Sequence, residues 1–165
     1  DDDTIHGGNL DDIINGDAGA DVLIGDAGSD TIHGGTENDR IYGGSTNDFL
    51  FGDEDHDLLS GSGGDDQLNG GTGNDRLLGA SGNDTFIFDA GSGADRIFNF
   101  EDNTDQINIS SSFGFATPAE VIAATNASGV NAIINLGGGN TINIVNWLLG
   151  GVHTITDLQD DIVIF

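Results

Sequence analysis

The chain has 165 residues and a formal net charge of −26, with no lysine, three arginines and no cysteine. Such a charge excludes nucleic-acid binding through phosphates, because the two would repel each other. Without cysteine there is no disulfide and no thiol chemistry. No apolar run approaches the about 20 residues of a membrane span. The length predicts one or two small domains, and Asp greatly outnumbers Glu among the 29 acidic residues.

A nine-residue repeat runs from Gly7 to Ile87 without insertion or deletion. Every unit begins with Gly, has Asp at its sixth position and has a large apolar residue at its eighth. A fixed period of this kind is typical of solenoids, in which each repeat contacts its neighbours. Residues 1–6 fit positions four to nine of a preceding unit. We therefore expect the chain to be a fragment of a longer protein.

Each unit predicts a turn followed by a short strand. The first six residues are Gly, small polar residues and Asp, and the last three alternate outward, inward, outward around the apolar eighth residue. Glycines at positions one, two and four suit the positive φ angles of a tight turn. Three-residue strands are too short to pair as hairpins, so we expect two units to form one coil. Successive strands then alternate between two opposing parallel sheets.

This stacking places the sixth-position carboxylates in two rows, one on each edge. The rows are Asp12, Asp30, Asp48, Asp66 and Asp84 on one edge, and Asp3, Asp21, Asp39, Asp57 and Asp75 on the other. Like charges one strand apart repel unless a cation lies between them. Carboxylates and turn carbonyls match the oxygen ligands of Ca²⁺ better than those of Mg²⁺. We expect the repeats to be disordered without metal, because the apolar core is thin.

The units resemble the GGxGxDxUx nonapeptide of the RTX (repeats-in-toxin) family, which residues 70–78 match fully. The resemblance implies an all-β fold, a right-handed parallel β-roll. It also implies Ca²⁺ between same-edge turns, held by the ten Asp residues above and by carbonyls near positions one to four. These carbonyls belong to Gly7, Asn9, Gly16, Ala18, Gly25, Ala27, Gly34, Thr36, Gly43, Ser45, Gly52, Glu54, Gly61, Gly63, Gly70, Thr72, Gly79 and Ser81.

Carried onto this chain, the resemblance implies about seven interior calcium sites. The bridged pairs are Asp12–Asp30, Asp30–Asp48, Asp48–Asp66 and Asp66–Asp84 on one edge, and Asp21–Asp39, Asp39–Asp57 and Asp57–Asp75 on the other. Position four departs from Gly at Leu10, Glu37, Thr46 and Asp55, so we expect the central sites to be weaker or differently shaped. Position two is Asp17, Asp26 or Asp53 in three units, which adds charge near the turns.

The period ends after Ile87, and residues 89–165 are predicted to cap the roll formed by residues 1–88. Strands are expected at 96–100, 106–109, 130–136 and 140–146. A short helix should run from Thr117, with Pro118 first and Glu120 completing a capping box, to about Thr125. Asp89, Asp95, Asp102 and Asp105 could form a further metal site, and a solvated loop is the equal alternative.

The last five residues are Asp161, Ile162, Val163, Ile164 and Phe165. This half of the chain resembles the C-terminal flanking region of secreted RTX proteases, lipases and epimerases. In that family an acidic residue followed by apolar residues at the extreme end belongs to a type I secretion signal. The resemblance therefore implies secretion, and a plain final strand is the alternative interpretation.

No catalytic constellation is present in the sequence: His6, His33, His56 and His153 are scattered, and neither HExxH nor GxSxG occurs. The outward strand positions place Arg40 and Arg76 on one face with Tyr42. A surface packed against the C-terminal half or a missing domain is one interpretation. A binding face for an acidic polysaccharide is the other, as in the accessory modules of alginate epimerases, which share this architecture.

The leading hypothesis is a non-catalytic, calcium-binding RTX module of a larger secreted bacterial protein, whose parent could be an enzyme. It would pass through a type I exporter unfolded, fold outside the cell on Ca²⁺ and help its upstream domain to fold. The alternative is a carbohydrate-binding accessory module of a polysaccharide-modifying enzyme. Halophilic adaptation explains the charge but not the period. The expected partners are Ca²⁺, the upstream domain, the exporter and a polysaccharide, with no nucleic acid and no membrane span.

Overall fold

A computed structural model describes residues 1–101, 104–123, 125–128, 131–145, 158 and 160–165. The described residues include short strands, an α-helix and a 3-10 turn. The strands are β1 (Thr4–Gly8), β2 (Ile13–Asn15), β3 (Val22–Ala27), β4 (Thr31–Gly35), β5 (Arg40–Ser45), β6 (Phe49–Asp53), β7 (Leu58–Gly63), β8 (Gln67–Asn69), β9 (Arg76–Ser81), β10 (Thr85–Phe88), β11 (Ala94–Phe98), β12 (Gln106–Ile109), β13 (Thr125–Ser128), β14 (Asn131–Gly137), β15 (Asn140–Ile144) and β16 (Ile162–Ile164). The helix α1 spans Pro118–Ala123, and the 3-10 turn spans Ser111–Phe113.

Successive strands alternate between two sheets, which confirms the predicted β-solenoid. Among the described residues, the first sheet has the order β1-β3-β5-β7-β9-β11-β15-β14-β13, and the second has the order β16-β12-β10-β8-β6-β4-β2. All neighbours within the repeats are parallel. Leu23 lies opposite Ile41, and Ile41 lies opposite Leu59, so one coil is two units long.

The eighth-position side chains form a single apolar column inside the solenoid. From Leu23 to Phe86 their exposed fraction is 0%, and that of Ile14 is 4%. Residues on either side of each eighth position point outward and are half-buried or exposed, except Ser60, which is buried. Because one strand contributes only one core side chain, the coil is held mainly by main-chain ladders and by its turns.

The turns need glycine at their first position for space and not for a positive φ angle, which corrects the sequence interpretation of that position. None of the nine first-position glycines has a positive φ, whereas the second position has one in every unit, including Asp17, Asp26 and Asp53. Positive φ values also occur at position four in Glu37 and Thr46. The first-position glycines instead face the carboxylate of their own unit, as described below.

Both sheets continue beyond the repeats. Strand β11 pairs with β9, and β12 pairs with β10, both in parallel. Strand β15 then pairs in parallel with β11, and β14 and β13 add antiparallel strands. The strand β13 has no counterpart in the sequence prediction. The boundary at residue 88 stays a prediction.

The predicted helix start is confirmed and its end is two residues earlier than expected. The Glu120 carboxylate accepts hydrogen bonds from the N–H groups of Ala116 (2.7 Å) and Thr117 (3.0 Å), and the Glu120 N–H donates to Thr117 Oγ1 (3.4 Å). These bonds form the capping box.

The candidate ligand Asp102 and His153 lie outside the described residues. No helix in the described part of the chain is long and apolar enough to cross a membrane.

Candidate functional site

The sixth-position aspartates form a hydrogen-bonded ladder along each edge. In every rung, the main-chain N–H of one Asp donates to Oδ1 of the Asp one coil later in the chain. The distances are 2.8 Å from Asp12 to Asp30, 2.8 Å from Asp30 to Asp48 and 2.9 Å from Asp48 to Asp66. The other edge repeats this pattern from Asp3 through Asp21, Asp39 and Asp57 to Asp75.

Two aspartates outside the repeats extend the ladders. The N–H of Asp75 donates to Asp95 Oδ1 (2.9 Å), and the N–H of Asp84 donates to Asp105 Oδ1 (3.0 Å). These rungs span 20 and 21 residues instead of 18, so a strict nine-residue period does not find them. Both carboxylates are buried. Asp89, by contrast, is exposed and accepts a 3.4 Å bond from Asn69 Nδ2, away from the ladders.

The second carboxylate oxygen of the ladder is buried without a hydrogen-bond donor. This holds for Oδ2 of Asp21, Asp30, Asp39, Asp48, Asp57, Asp66, Asp75 and Asp84. An ionised oxygen without a partner is costly in a protein interior. The series therefore marks places where positive charge, supplied by a cation or a proton, would be stabilising.

The first-position glycines show where these oxygens point. A β-carbon added to Gly34 would meet both Asp39 Oδ2 and, at 2.7 Å, the carbonyl oxygen of Gly52 one coil later. The same pair of oxygens surrounds five further glycines: Gly7, Gly16, Gly25, Gly43 and Gly52. Two acceptors thus converge on a space that only glycine leaves open.

Burial raises the pKa values of the ladder carboxylates from Asp30 onward. Desolvation is the main cause, the neighbouring Asp charges add to it, and the rung hydrogen bonds oppose it. The pKa of Asp57 rises to about 8, that of Asp66 to about 7 and that of Asp48 to about 6. The pKa of Asp95 rises to about 7 and that of Asp105 to about 6 for the same reason.

The donor set fits Ca²⁺. Among the described residues, no three acidic, His or Cys side chains converge on one point, so a cation there would need main-chain oxygens as well. Carboxylate and carbonyl oxygens are the ligands that Ca²⁺ prefers. Of the predicted third-position carbonyls, those of Ala18, Thr36 and Ser81 already accept one hydrogen bond each. Each retains a second lone pair. The seven bridged pairs stay predictions.

The remaining predicted residues lie away from the ladders. Arg40 and Arg76 share a column on the first sheet, and the structure adds Arg96 to it, next to Arg76. Tyr42 lies in the adjacent outward column, opposite Ser60. The segment from Ile162 to Ile164 is strand β16, paired with β12, and the preceding Asp161 is buried. Its role in secretion stays a prediction.

A model of a known protein family matches the same repeats. The model of the RTX calcium-binding nonapeptide repeat family matches in four copies, at residues 1–32, 24–59, 51–86 and 60–97. Together these cover more than half of the chain. A search of curated protein sequences gives no significant match.

Two of the solved structures that match this chain belong to an epimerase and a lipase. The AlgE6R3 subunit of the Azotobacter vinelandii mannuronan C5-epimerase is 25% identical, with a TM-score of 0.51 over 95% of this chain and 80% of that one. The extracellular lipase LipA of Serratia marcescens is 13% identical, with a TM-score of 0.48 over 98% of this chain. The chain spans only 38% of the lipase.

The raised pKa values predict that acid favours the metal-free fold. Between the pH that equals the ordinary pKa of 3.8 and a pH of about 8, the folded form holds protons that the unfolded form has lost. Its free energy of unfolding therefore falls as pH rises through this range. In chelator, the β signal in far-ultraviolet circular dichroism should be larger at pH 5 than at pH 8. An equal or larger signal at pH 8 would contradict the buried placement of these carboxylates.

The glycine cradle predicts that Gly61→Ala weakens cation binding. The new β-carbon would collide with Asp66 Oδ2, and overpacking of this kind costs roughly 1–3 kcal/mol. We expect a higher Ca²⁺ midpoint in a folding titration. Gly63→Ala is the matched control, because its β-carbon would lie 3.6 Å from its nearest contact, Ser81 Oγ, at an ordinary φ. Equal midpoints for the two variants would refute the cradle.

Proposed function

Since the chain belongs to the RTX calcium-binding nonapeptide repeat family, we propose that it is a non-catalytic module of a larger secreted bacterial protein and folds outside the cell when Ca²⁺ binds. The observation that supports this most is the series of eight buried Oδ2 atoms without a donor. Without cations or protons, these atoms oppose folding. With cations between successive rungs, the same atoms become ligands.

The ladder residues would hold the metal in this proposal. From Asp21 onward, each ladder Asp keeps its position through its Oδ1 bond to the previous coil, which leaves Oδ2 for the ion. The carbonyl of a first-position glycine one coil later supplies a second oxygen. Calcium contributes the positive charge that offsets repulsion within each row. Metal binding and folding are then the same event.

The ladders extend the proposed set of ligands beyond the repeats. Asp95 and Asp105 make the same Oδ1 bonds as the repeat aspartates and are equally buried, and Oδ2 of Asp105 differs in also accepting a bond from the Glu101 N–H (2.8 Å). We include them as ligands of additional sites, paired with Asp75 and Asp84. Asp89 lacks this geometry. The roll of residues 1–88 and the capping region of residues 89–165 would then share their last calcium ions.

Secretion and the upstream partner are further parts of the proposal. The acidic chain has too little apolar core to fold in a cytosol poor in Ca²⁺, so it would reach a type I exporter unfolded. Asp161 to Phe165 would serve as the signal before folding and as the strand β16 afterwards. Because the similar AlgE6R3 structure is a subunit of an epimerase, the parent protein could carry an enzyme upstream.

Calcium-dependent folding is tested by far-ultraviolet circular dichroism at neutral pH. In chelator the chain should give a coil spectrum, and Ca²⁺ should produce a cooperative change to β structure. Mg²⁺ and NaCl at matched ionic strength are the controls and should not produce it. A β spectrum in chelator that Ca²⁺ leaves unchanged would refute metal-driven folding and favour adaptation to salt.

The ligand assignment is tested by replacing two neighbouring rungs. In Asp48→Asn/Asp66→Asn, three predicted pairs on one edge lose charge, so calorimetry should count about three fewer Ca²⁺ ions per chain. Asp11→Asn/Asp65→Asn is the matched control, with the same charge change at exposed turn residues that lie outside the ladder. Unchanged stoichiometry in the ladder variant, or an equal loss in the control, would refute the pair assignment.

A further inference from the structure

Two junctions between repeats in this chain are Asn–Gly pairs, Asn15–Gly16 and Asn69–Gly70. In both, Asn is the ninth residue of one unit and Gly is the first residue of the next. The side-chain carbon Cγ of an asparagine can form a small, unstrained ring with the main-chain nitrogen of the following residue. A following glycine has no β-carbon to hinder this approach, and its backbone turns freely. Ring closure is therefore most favourable where glycine follows asparagine.

Ring closure at such a pair is a covalent step that needs only water and hydroxide. The Gly N–H gives its proton to hydroxide, the nitrogen forms a bond to Cγ, and the bond from Cγ to Nδ2 breaks. Nδ2 takes a proton from water and leaves as ammonia. Water then opens the resulting succinimide at either of its two carbonyl groups. One product is aspartate, and the other is isoaspartate, in which the main chain runs through Cβ and Cγ.

In the folded chain, both ends of the Asn69 amide are held by hydrogen bonds. Its Oδ1 accepts from the N–H of Gly71 (3.0 Å), and its Nδ2 donates to Asp89 Oδ2 (3.4 Å). Attack needs the nitrogen and Cγ aligned at roughly 3–3.5 Å, so the amide has to break these bonds to turn. Gly70 is buried, which keeps hydroxide from its N–H. The fold therefore protects this pair.

The pair Asn15–Gly16 is protected less completely. Gly16 is buried, and its N–H donates to the carbonyl oxygen of His33 (2.9 Å). The Asn15 side chain, however, is exposed and makes no hydrogen bond to the residues that the structure describes. Strand β2 is also the edge strand of the second sheet as described, where local opening costs less free energy. In the folded chain, Asn15 should thus react faster than Asn69.

Without Ca²⁺ both protections are lost, because the metal-free chain is unfolded in the proposed function, on which this inference rests. The glycine N–H groups are then open to hydroxide, and the asparagine amides turn freely. The Gly-rich turns sample many backbone conformations, including those that bring the nitrogen to Cγ. The rate of ring closure therefore depends on whether calcium is bound.

An isoaspartate at position 69 is incompatible with the coil, because it adds one carbon to the main chain before Gly70. Asn69 has to lie opposite Phe51 in the ladder. Gly70 has to lie where Asp75 Oδ2 occupies the space of a β-carbon. A longer main chain cannot satisfy both positions. Gly16 faces the carboxylate of its own unit in the same way, so the argument applies to both junctions.

We propose that Asn15–Gly16 and Asn69–Gly70 are sites of spontaneous deamidation that limit how long the metal-free chain stays able to fold. Folding on Ca²⁺ protects both pairs. A chain that meets Ca²⁺ promptly keeps its asparagines and its calcium sites. A chain that stays unfolded accumulates isoaspartate and loses the two turns that follow these residues.

Asn135 is an internal control for the role of glycine. Its Oδ1 accepts from the N–H of Gly137 (3.0 Å), which is the same bond that Asn69 makes to the residue two places ahead. The residue that follows it is Leu136, whose side chain hinders attack by the main-chain nitrogen. Asn135 should therefore keep its amide, with or without Ca²⁺, while the two Asn–Gly pairs react.

Peptide mapping by mass spectrometry tests the proposal on the full chain at neutral pH. One sample is aged in chelator and one in Ca²⁺, and isoaspartate is measured with protein isoaspartate methyltransferase. Asn15 and Asn69 should deamidate in chelator. In Ca²⁺, Asn69 should react at least about tenfold more slowly, because the folded chain reacts only after local opening. Equal rates at Asn69 in both samples, or no reaction in chelator, would overturn the proposal.

The limit on folding is measured on the samples aged in chelator. Excess Ca²⁺ should restore the β signal in circular dichroism only for chains without isoaspartate. Asn15→Gln/Asn69→Gln is the matched variant, because glutamine keeps the amide but closes a larger ring much more slowly. After the same ageing it should fold fully. Complete folding of the aged parent despite isoaspartate, or an equal loss in the variant, would refute the limit.

A second variant keeps this test valid if the glutamine variant does not fold when fresh. Asn15→Ser/Asn69→Ser introduces the residue that the chain already has at the ninth position in Ser60. Circular dichroism of the fresh parent separates the two proposals. If Ca²⁺ does not fold it, the proposed function fails. If Ca²⁺ folds it and Asn69 still deamidates as fast as in chelator, this inference fails and the proposed function stands.

Discussion

The rung hydrogen bond between a main-chain N–H and the next aspartate is the interaction on which this structure depends. It connects consecutive coils at both edges, and it fixes the orientation of the ladder carboxylates from Asp21 onward. With Oδ1 committed to the previous coil, Oδ2 is directed to the first glycine of its own turn. The same bond that stacks the coils therefore leaves a row of buried Oδ2 atoms without a hydrogen-bond donor. The positive charge that stabilises these atoms has to come from metal ions or from protons taken up from solvent.

Much of this arrangement can be predicted from the sequence, because the nine-residue period determines the geometry of every coil. Each unit has to bury its apolar residue at position eight and align its Asp at position six with those of other coils. Few other arrangements of a nine-residue unit do both. The sheet order, the 18-residue register and the column containing Arg40 and Arg76 follow from counting. The capping box at Thr117 and Glu120 is equally local, so the sequence identifies it.

Features that depend on how irregular loops place residues in space are harder to predict from the sequence. Asp95, Asp105 and Arg96 join the ladders and the arginine column after loops of irregular length, so periodicity does not assign them. A strand prediction over 96–100 with a register of 18 would place Arg96 elsewhere. The role of the first glycine is also not evident from the sequence. The repeat shows that Gly occurs at this position in every unit. Only the structure shows the reason, which is that the Asp carboxylate of the same unit occupies the space of a β-carbon.

Alternation between two sheets also has a consequence for how such a molecule can change in length. One nine-residue unit carries the chain from one sheet to the other, and from one edge to the other. Deleting a single unit between Tyr42 and Arg76 would therefore send Arg76 and Arg96 to the sheet opposite Arg40. Deleting two would keep all three together. The arginine column is therefore kept only when repeats between Tyr42 and Arg76 are gained or lost in pairs. The aspartate ladders are kept whether the number of repeats gained or lost is odd or even.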